Sequence, residues 1–303
     1  MRDLSPIIIF VYKRIDHLKK TIYSLSKNTL SKKTDLYIFS DGPKFSHELK
    51  EINKVRKFCS KISGFRSVTI FSRKKNLGLS RSIVQGVSKI FKIKKKAIIL
   101  EDDMQCDKYF LDYMNYYLQK YQKENKVISI HGYNYPIKES KKIPNFFFLK
   151  GADCWGWATW SDRWKLYNDN GKCLANEIKK KNLINEFNFC NTFDYYQMLL
   201  NSISSKNDSW AIKWYASAFL KNKLTLYPKK SLVQNIGMDG SGRHSLKTNA
   251  FYIKLKNKKI NLSTKIVVKE NKEAKNKISN FFLSIKDNLY QKILNKLKNV
   301  FNT

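Results

Sequence analysis

The chain has 303 residues, enough for one large α/β domain or a domain with an appendage, and 42% hydrophobic with 14% aromatic residues excludes wholesale disorder. A formal charge of +35 and a pI near 9.9 point to an anionic partner: nucleic acid, an acidic membrane surface or a phosphorylated small molecule. The same lysine excess also fits a biased genome composition written onto solvated surfaces.

In chain order, residues 7–12 form a continuous apolar run that ends in Lys13-Arg14, and Leu18, Ile22 and Leu25 follow at helical spacing. A second run, residues 36–39, closes on Ser40-Asp41-Gly42-Pro43. Helical spacing over 48–58, a strand over 68–71, a helix over 79–91 and a strand over 97–100 come next, the last running into Glu101-Asp102-Asp103. Buried strands alternating with helices predict a mostly parallel sheet covered on both faces. In such sheets ligands bind beyond the carboxyl ends of the strands, so Arg14, Asp41 and the acidic triplet are expected to converge at one crevice.

Residues 110–121 read as a helix, with extended segments at 127–130 and 145–149. Gly151-Ala152-Asp153-Cys154-Trp155-Gly156-Trp157-Ala158-Thr159-Trp160 and helical segments to about Asn222 follow. Gly237-Met238-Asp239-Gly240-Ser241-Gly242-Arg243-His244 reads as a mobile loop, because three glycines widen the backbone choices. Beyond it, residues 246–303 hold 14 lysines against three acids, so the division expected is 1–245 (halves 1–105 and 106–245) and a basic appendage over 246–303. Within it Ile278, Phe281, Phe282, Ile285, Leu289, Ile293, Leu297 and Phe301 recur at helical spacing, a basic amphipathic helix that can lie on an anionic membrane or dock on protein.

Cys59, Cys106, Cys154, Cys173 and Cys190 are odd in number with no CxxC pair, which indicates neither a zinc site nor a disulfide framework. The run at residues 7–11 is too short for a signal sequence, and no stretch reaches the roughly 20 apolar residues of a membrane span. The expected location is cytoplasmic, with peripheral attachment to the inner face of the membrane.

Three successive carboxylates raise one another's pKa unless neutralised, and Mn²⁺ or Mg²⁺ does this using one or two carboxylates plus water and substrate phosphate. An acidic turn at a strand end is the plain alternative. Tyr12-Lys13-Arg14 after the first strand, Ser40-Asp41-Gly42 after the second, Asn76-Leu77-Gly78-Leu79 before a helix, and Leu100-Glu101-Asp102-Asp103 together resemble the GT-A glycosyltransferases. With the later Gly-x-x-x-x-Gly-Trp segment they resemble in particular the N-acetylglucosaminyltransferase I family and its bacterial relatives, over about residues 5–245.

The resemblance implies an α/β GT-A fold and an inverting, metal-dependent transfer from a nucleotide-sugar, most simply UDP-linked, to a glycan or glycolipid acceptor in bacterial surface polysaccharide or lipooligosaccharide synthesis. It makes Asp103 the metal ligand, sets Glu101 and Asp102 against the sugar or ribose, and gives the nucleotide to Arg14 and Asp41, the latter accepting a uracil N–H. Trp157 lies by the donor sugar. Apart from the resemblance, whose spacing this chain does not keep there, the loop over 237–244 can close over the diphosphate, with His244 reaching the metal or a phosphate and Arg243 offsetting pyrophosphate charge; a plain flexible turn is the alternative. Asp208, just ahead of a Trp-containing helix, is the first choice of general base, with Asp153 and Asp194 behind it; an Asp there also makes an ordinary helix cap. A basic nucleic-acid-binding protein is the alternative outside enzymes, but no such motif is present and specific nucleic acid is not expected. A nucleotidyltransferase would want a glycine-rich phosphate loop, which Tyr12-Lys13-Arg14-Ile15-Asp16 lacks.

Overall fold

The computed structural model describes residues 4–204, 206–207, 209–242, 247–262 and 265–301, with side chains described to residue 286. In chain order the strands are β1 (Ile7–Val11), β2 (Asp35–Ser40), β3 (Ser67–Ser72), β4 (Lys96–Glu101), β5 (Met104–Cys106), β6 (Val127–His131), β7 (Phe146–Lys150), β8 (Trp157–Trp160), β9 (Leu224–Pro228) and β10 (Val233–Asn235). The helices are α1 (Ile15–Ser26), α2 (Leu49–Cys59), α3 (Leu79–Ile90), α4 (Phe110–Lys120), α5 (Ser161–Trp164), α6 (Gly171–Lys180), α7 (Ile184–Phe187), α8 (Tyr195–Ile203), α9 (Trp210–Leu220) and α10 (Lys272–Phe301).

Eight strands make one sheet in the order β3-β2-β1-β4-β8-β6-β9-β7, and β5 pairs with β10 in a small antiparallel ribbon. Pairing is parallel from β3 to β4, and only β8 and β7 run against the rest. The α/β class and the mostly parallel sheet are therefore as expected. The apolar runs stand within a residue or so of their predicted ends, most sharply in β1 and β4, where burial on both faces favours apolar side chains. Four strands escaped the sequence reading: β8, where the Trp-Gly pattern hides a four-residue central strand, β9, and the two three-residue strands of the ribbon, β5 and β10.

Alternation along β1 divides the core. Ile7, Ile9 and Val11 pack with Leu18, Ile22 and Leu25 of α1, Val55 of α2, and Phe110, Met114 and Tyr117 of α4. Ile8 and Phe10 face the other way, toward Ile83, Val87 and Ile90 of α3 and toward Trp157, Trp164, Trp210 and Trp214. A third cluster joins α6 to α9 through Ile178, Phe187, Leu199 and Phe219.

The basic segment after residue 246 lies against this body. The Tyr133 hydroxyl donates to the Phe251 carbonyl at 2.9 Å, Asn257 N–H donates to Asp107 at 2.6 Å, and Ile260, Leu262, Ile266 and Val268 pack on the first core cluster. Asn271 N–H reaches the Phe148 carbonyl at 2.8 Å, covering part of the outer edge of β7. Ala274, Ile278 and Phe282 of α10 are buried against Phe147, Leu149, Phe189 and Tyr227, so this part of the amphipathic stripe docks on protein. The side chains of Leu289, Ile293, Leu297 and Phe301 lie outside the described residues. Among the described residues, no helix is long and apolar enough to cross a membrane.

At the head of β2, Asp35 accepts from Arg66 Nε at 2.7 Å and Ser67 Oγ at 2.7 Å, and the Arg66 hydrogen bond does most to hold its carboxyl down at about 2. A depressed carboxyl stabilises the fold fully above the unfolded value near pH 4, and that contribution drains away as pH falls toward 2. Asp35→Asn is expected to cost about 1 kcal/mol at pH 7. The gap between variant and wild-type Tm should close between pH 4 and 2; a gap independent of pH would reject the ion pair as its source.

Candidate active site

The sheet order sets β2, β1 and β4 side by side, so the segments leaving their carboxyl ends are neighbours. Arg14 precedes the first turn of α1, and its Nη2 donates to both Asp102 Oδ1 and Asp103 Oδ2, the latter at 2.7 Å. The two carboxylates are buried, and the Arg14 side chain is 20% exposed. Thr21 Oγ1 donates to the Asp102 carbonyl at 2.8 Å, and Ile236 N–H to the Asp103 carbonyl at 2.9 Å, which fixes the turn between β4 and β5 from two sides. Asp103 Oδ1 is buried without a hydrogen-bond partner. Burial, with Asp103 and Asp102 beside it, pushes Glu101 well above the ordinary carboxylate range. Burial also raises Asp102, against the opposing pull of Arg14.

Asp41 belongs to a separate group. Its oxygens accept from the backbone N–H groups of Gly42, Leu77 and Gly78 at 3.0–3.1 Å, and Arg73 Nη1 stands 4.0 Å away. The carboxylate thus braces the Asn76-Leu77-Gly78 turn that opens α3, with Gly78 at φ +76. A uracil N–H would have to share oxygens that these backbone groups already occupy.

The direction of β8 decides what faces the triplet. Because β8 runs antiparallel to β4, with Trp157 opposite Ile99, the residues just before Trp157 arrive beside the carboxyl end of β4. Asp153 is among them. Its Oδ2 accepts from Tyr135 at 3.0 Å and Tyr227 at 3.4 Å, and its Oδ1 from Cys154 N–H at 2.7 Å. His131, fully buried, takes Trp155 N–H on Nε2 at 3.1 Å and stands 3.8 Å from Asp153. Cys154 lies between the two acidic groups, its thiol raised first by burial and then by the charges of Asp153, Glu101 and Asp103.

Trp157 is corrected from donor-sugar contact to core. It is 1% exposed and packs on Trp210, Trp164 and Trp214 with ring centroids 5.4, 5.7 and 5.8 Å away, because β8 is an interior strand whose odd positions point into the second core cluster. Trp155, half-buried against Tyr133 and Phe251, is the tryptophan nearest Asp153 in the chain. Asp194 is exposed at the start of α8 and shares no hydrogen bond with the triplet. Asp208, Arg243 and His244 lie outside the described residues.

The glycine loop has a part that sequence reasoning missed. Gly237 lies flat on the Arg14–Asp103 pair: a Cβ there would overlap Asp103 Oδ2 and stand 2.8 Å from its Cγ and 3.1 Å from Arg14 Nη1. Asp239 then meets His17 Nε2 of α1 at 3.0 Å. The glycines signalled flexibility, whereas at residue 237 the missing side chain is a steric requirement. Glu48 was also missed; its buried carboxylate accepts from Lys13 at 2.8 Å, from Tyr12, and from Lys44 N–H at 3.0 Å, tying the exit of β1 to the segment after β2.

A divalent cation fits the triplet as a one-carboxylate site. Among the described residues no set of three or more His, Cys, Asp or Glu forms a ready cage. Mg²⁺-type sites usually need only one or two carboxylates, with phosphate and water for the rest, and Asp103 Oδ1 is a buried acceptor with nothing to accept. Asp102 and Asp103 against one guanidinium also leave a net negative charge for such an ion.

No protein-family model matches the chain, and no curated protein matches it. Among solved structures it is similar to S. aureus TarS (residues 1–349; 11% identity, 55% of this chain and 49% of that one, TM-score 0.36). It is similar as well to the mannosyltransferase PcManGT from Pyrobaculum calidifontis in complex with GDP-Man and Mn²⁺ (8% identity, 73% and 72% coverage, TM-score 0.38). A third is a UDP-glucose pyrophosphorylase complexed with UDP-glucose (11% identity, 78% and 94% coverage, TM-score 0.42). The chain spans about half the length of the first of these and 36% of a longer TarS structure. Such partial likenesses at low identity add nothing to the chemistry, which rests on the residues of this chain.

Proposed function

We propose that the protein is a metal-dependent glycosyltransferase of the GT-A type that moves a sugar from a nucleoside diphosphate donor, UDP-linked, to a hydroxyl of a glycan or lipid-linked acceptor. The observation that carries this reading is the Asp103 carboxylate at the carboxyl end of β4, with one oxygen on Arg14 and the other buried and unpartnered. Asp103 would hold Mn²⁺ or Mg²⁺, which when bound neutralises charge on the departing diphosphate. Arg14 offers a second cation to the same phosphates, and Glu101 and Asp102 line the sugar and ribose side.

Transfer with inversion needs a carboxylate on the acceptor side to take the hydroxyl proton as its oxygen attacks the anomeric carbon and the nucleoside diphosphate leaves. Asp208, ahead of α9, is assigned that role, as the motif resemblance implies. Asp153 is assigned to acceptor positioning: two tyrosine hydroxyls and a backbone N–H fix its carboxylate near the carboxyl end of β4. The acceptor belongs to surface polysaccharide or lipooligosaccharide assembly, where a basic protein meets anionic, lipid-linked substrates at the inner face of the membrane.

Thermal shift with UDP, GDP, CDP and single-stranded RNA, each with and without Mn²⁺, tests the reading. One nucleotide should stabilise the protein only with Mn²⁺, by roughly 2–3 kcal/mol at a hundredfold excess over Kd, and Asp103→Ala should abolish the response with the fold retained. Stabilisation by RNA with no response to any nucleotide would turn the assignment to a nucleic-acid-binding protein.

A further inference from the structure

The guanidinium of Arg14 occupies the place where a cation would be wanted. It donates to both Asp102 and Asp103, and it sits on their solvent side, 20% exposed over carboxylate side chains that are 5% and 9% exposed. The Ile236-Gly237 backbone closes the pair from the other flank, with no room even for a methyl group. Asp103 Oδ1 is left as a buried acceptor with no donor.

We propose that Arg14 is a placeholder that couples metal binding to donor binding: it bridges Asp102 and Asp103 in the empty enzyme and transfers to the donor's diphosphate when a divalent cation arrives at Asp103. The inference rests on the metal-and-nucleotide reading above. A divalent ion entering alone meets a guanidinium already bonded to its ligand, and like charges a few ångströms apart in a buried site repel strongly. A nucleoside diphosphate entering alone meets Asp102 and Asp103 with their only bonded guanidinium already engaged. Entering together, the two remove both conflicts, since the diphosphate gives Arg14 a new anionic partner and the ion compensates Asp103. Each ligand therefore raises the affinity for the other by the same factor.

Mn²⁺ binding to the 303-residue chain, read by the EPR signal of free Mn²⁺ with and without saturating UDP, GDP or CDP, tests this without any measurement of turnover. Wild type should bind Mn²⁺ at least about tenfold more tightly with the cognate nucleotide, within the usual range of coupling between sites. Arg14→Gln should bind Mn²⁺ more tightly than wild type when no nucleotide is present, and its coupling should fall toward one. Arg14→Lys, which keeps the charge but bonds as a single point, should lie between them and serves if Arg14→Gln does not fold. Unchanged or weaker Mn²⁺ binding by the nucleotide-free variants overturns the placeholder and leaves the metal site standing. Mn²⁺ binding that survives Asp103→Asn, or no binding by wild type with any of the three nucleotides, overturns the metal-and-nucleotide reading itself.

Discussion

Trp157→Ala is expected to lower the unfolding free energy by about 3–5 kcal/mol, a large share of the roughly 5–15 kcal/mol that holds a domain together. The ring is 1% exposed and touches Trp164, Trp210 and Trp214, which belong to α5 and α9 and pack those helices onto the sheet. β8 also bridges β4 and β6, so the cavity opens beneath the strand that joins the two halves of the sheet. Urea denaturation with the m-value held constant measures the loss. A variant of near wild-type stability that no longer binds donor would put the ring back against the sugar.

Gly237→Ala should cut kcat/KM by roughly a hundredfold or more while leaving the fold in place, because small misplacements of reacting or ligating groups are costly. A methyl group at residue 237 would overlap Asp103 Oδ2 and crowd Arg14, and both are exchanging partners in the proposed reaction. The backbone can yield by moving the loop outward, since the neighbouring His17–Asp239 contact lies near the surface. That movement uncovers Asp103 without disturbing the core, so Tm should shift by only a few degrees. Paired steady-state kinetics and thermal melts decide it, and full activity in Gly237→Ala would mean that the loop does not cover the carboxylate in the working enzyme.

The first half of the fold was legible because β1, β2 and β4 are built on uninterrupted apolar runs and stand between amphipathic helices. The place of Arg14 and Asp103 at neighbouring strand ends followed from that pattern, but their direct bond joins residues 89 positions apart and no local spacing encodes it. Trp157 misled because glycine and tryptophan in one segment serve equally for sugar contact or for a tight turn into a buried strand. Asp153 stood out only as one of several acids. Tyr135 and Tyr227, which fix it, come from the loop after β6 and from β9, and their shared partner appears only once the sheet is assembled. The apolar stripe of α10 was equally visible, but a stripe states that something covers it without naming Phe147, Leu149 and Tyr227.

The strand order also sets a schedule of exposure during synthesis. Residues 7–101 supply four adjacent parallel strands, and β4 then shows an open edge of sequence KAIILE until residues 157–160 are made. The permanent outer edge lies at the opposite end of these four strands, on β3, whose Ser67, Thr69 and Ser72 face solvent. An apolar strand with unpaired backbone groups is a template for pairing with other chains, and a polar edge is much less so. A nascent chain stalled between residues 101 and 157 therefore carries its acidic triplet on the rim of an adhesive sheet, and the strand that seals that rim is the one that also delivers Asp153.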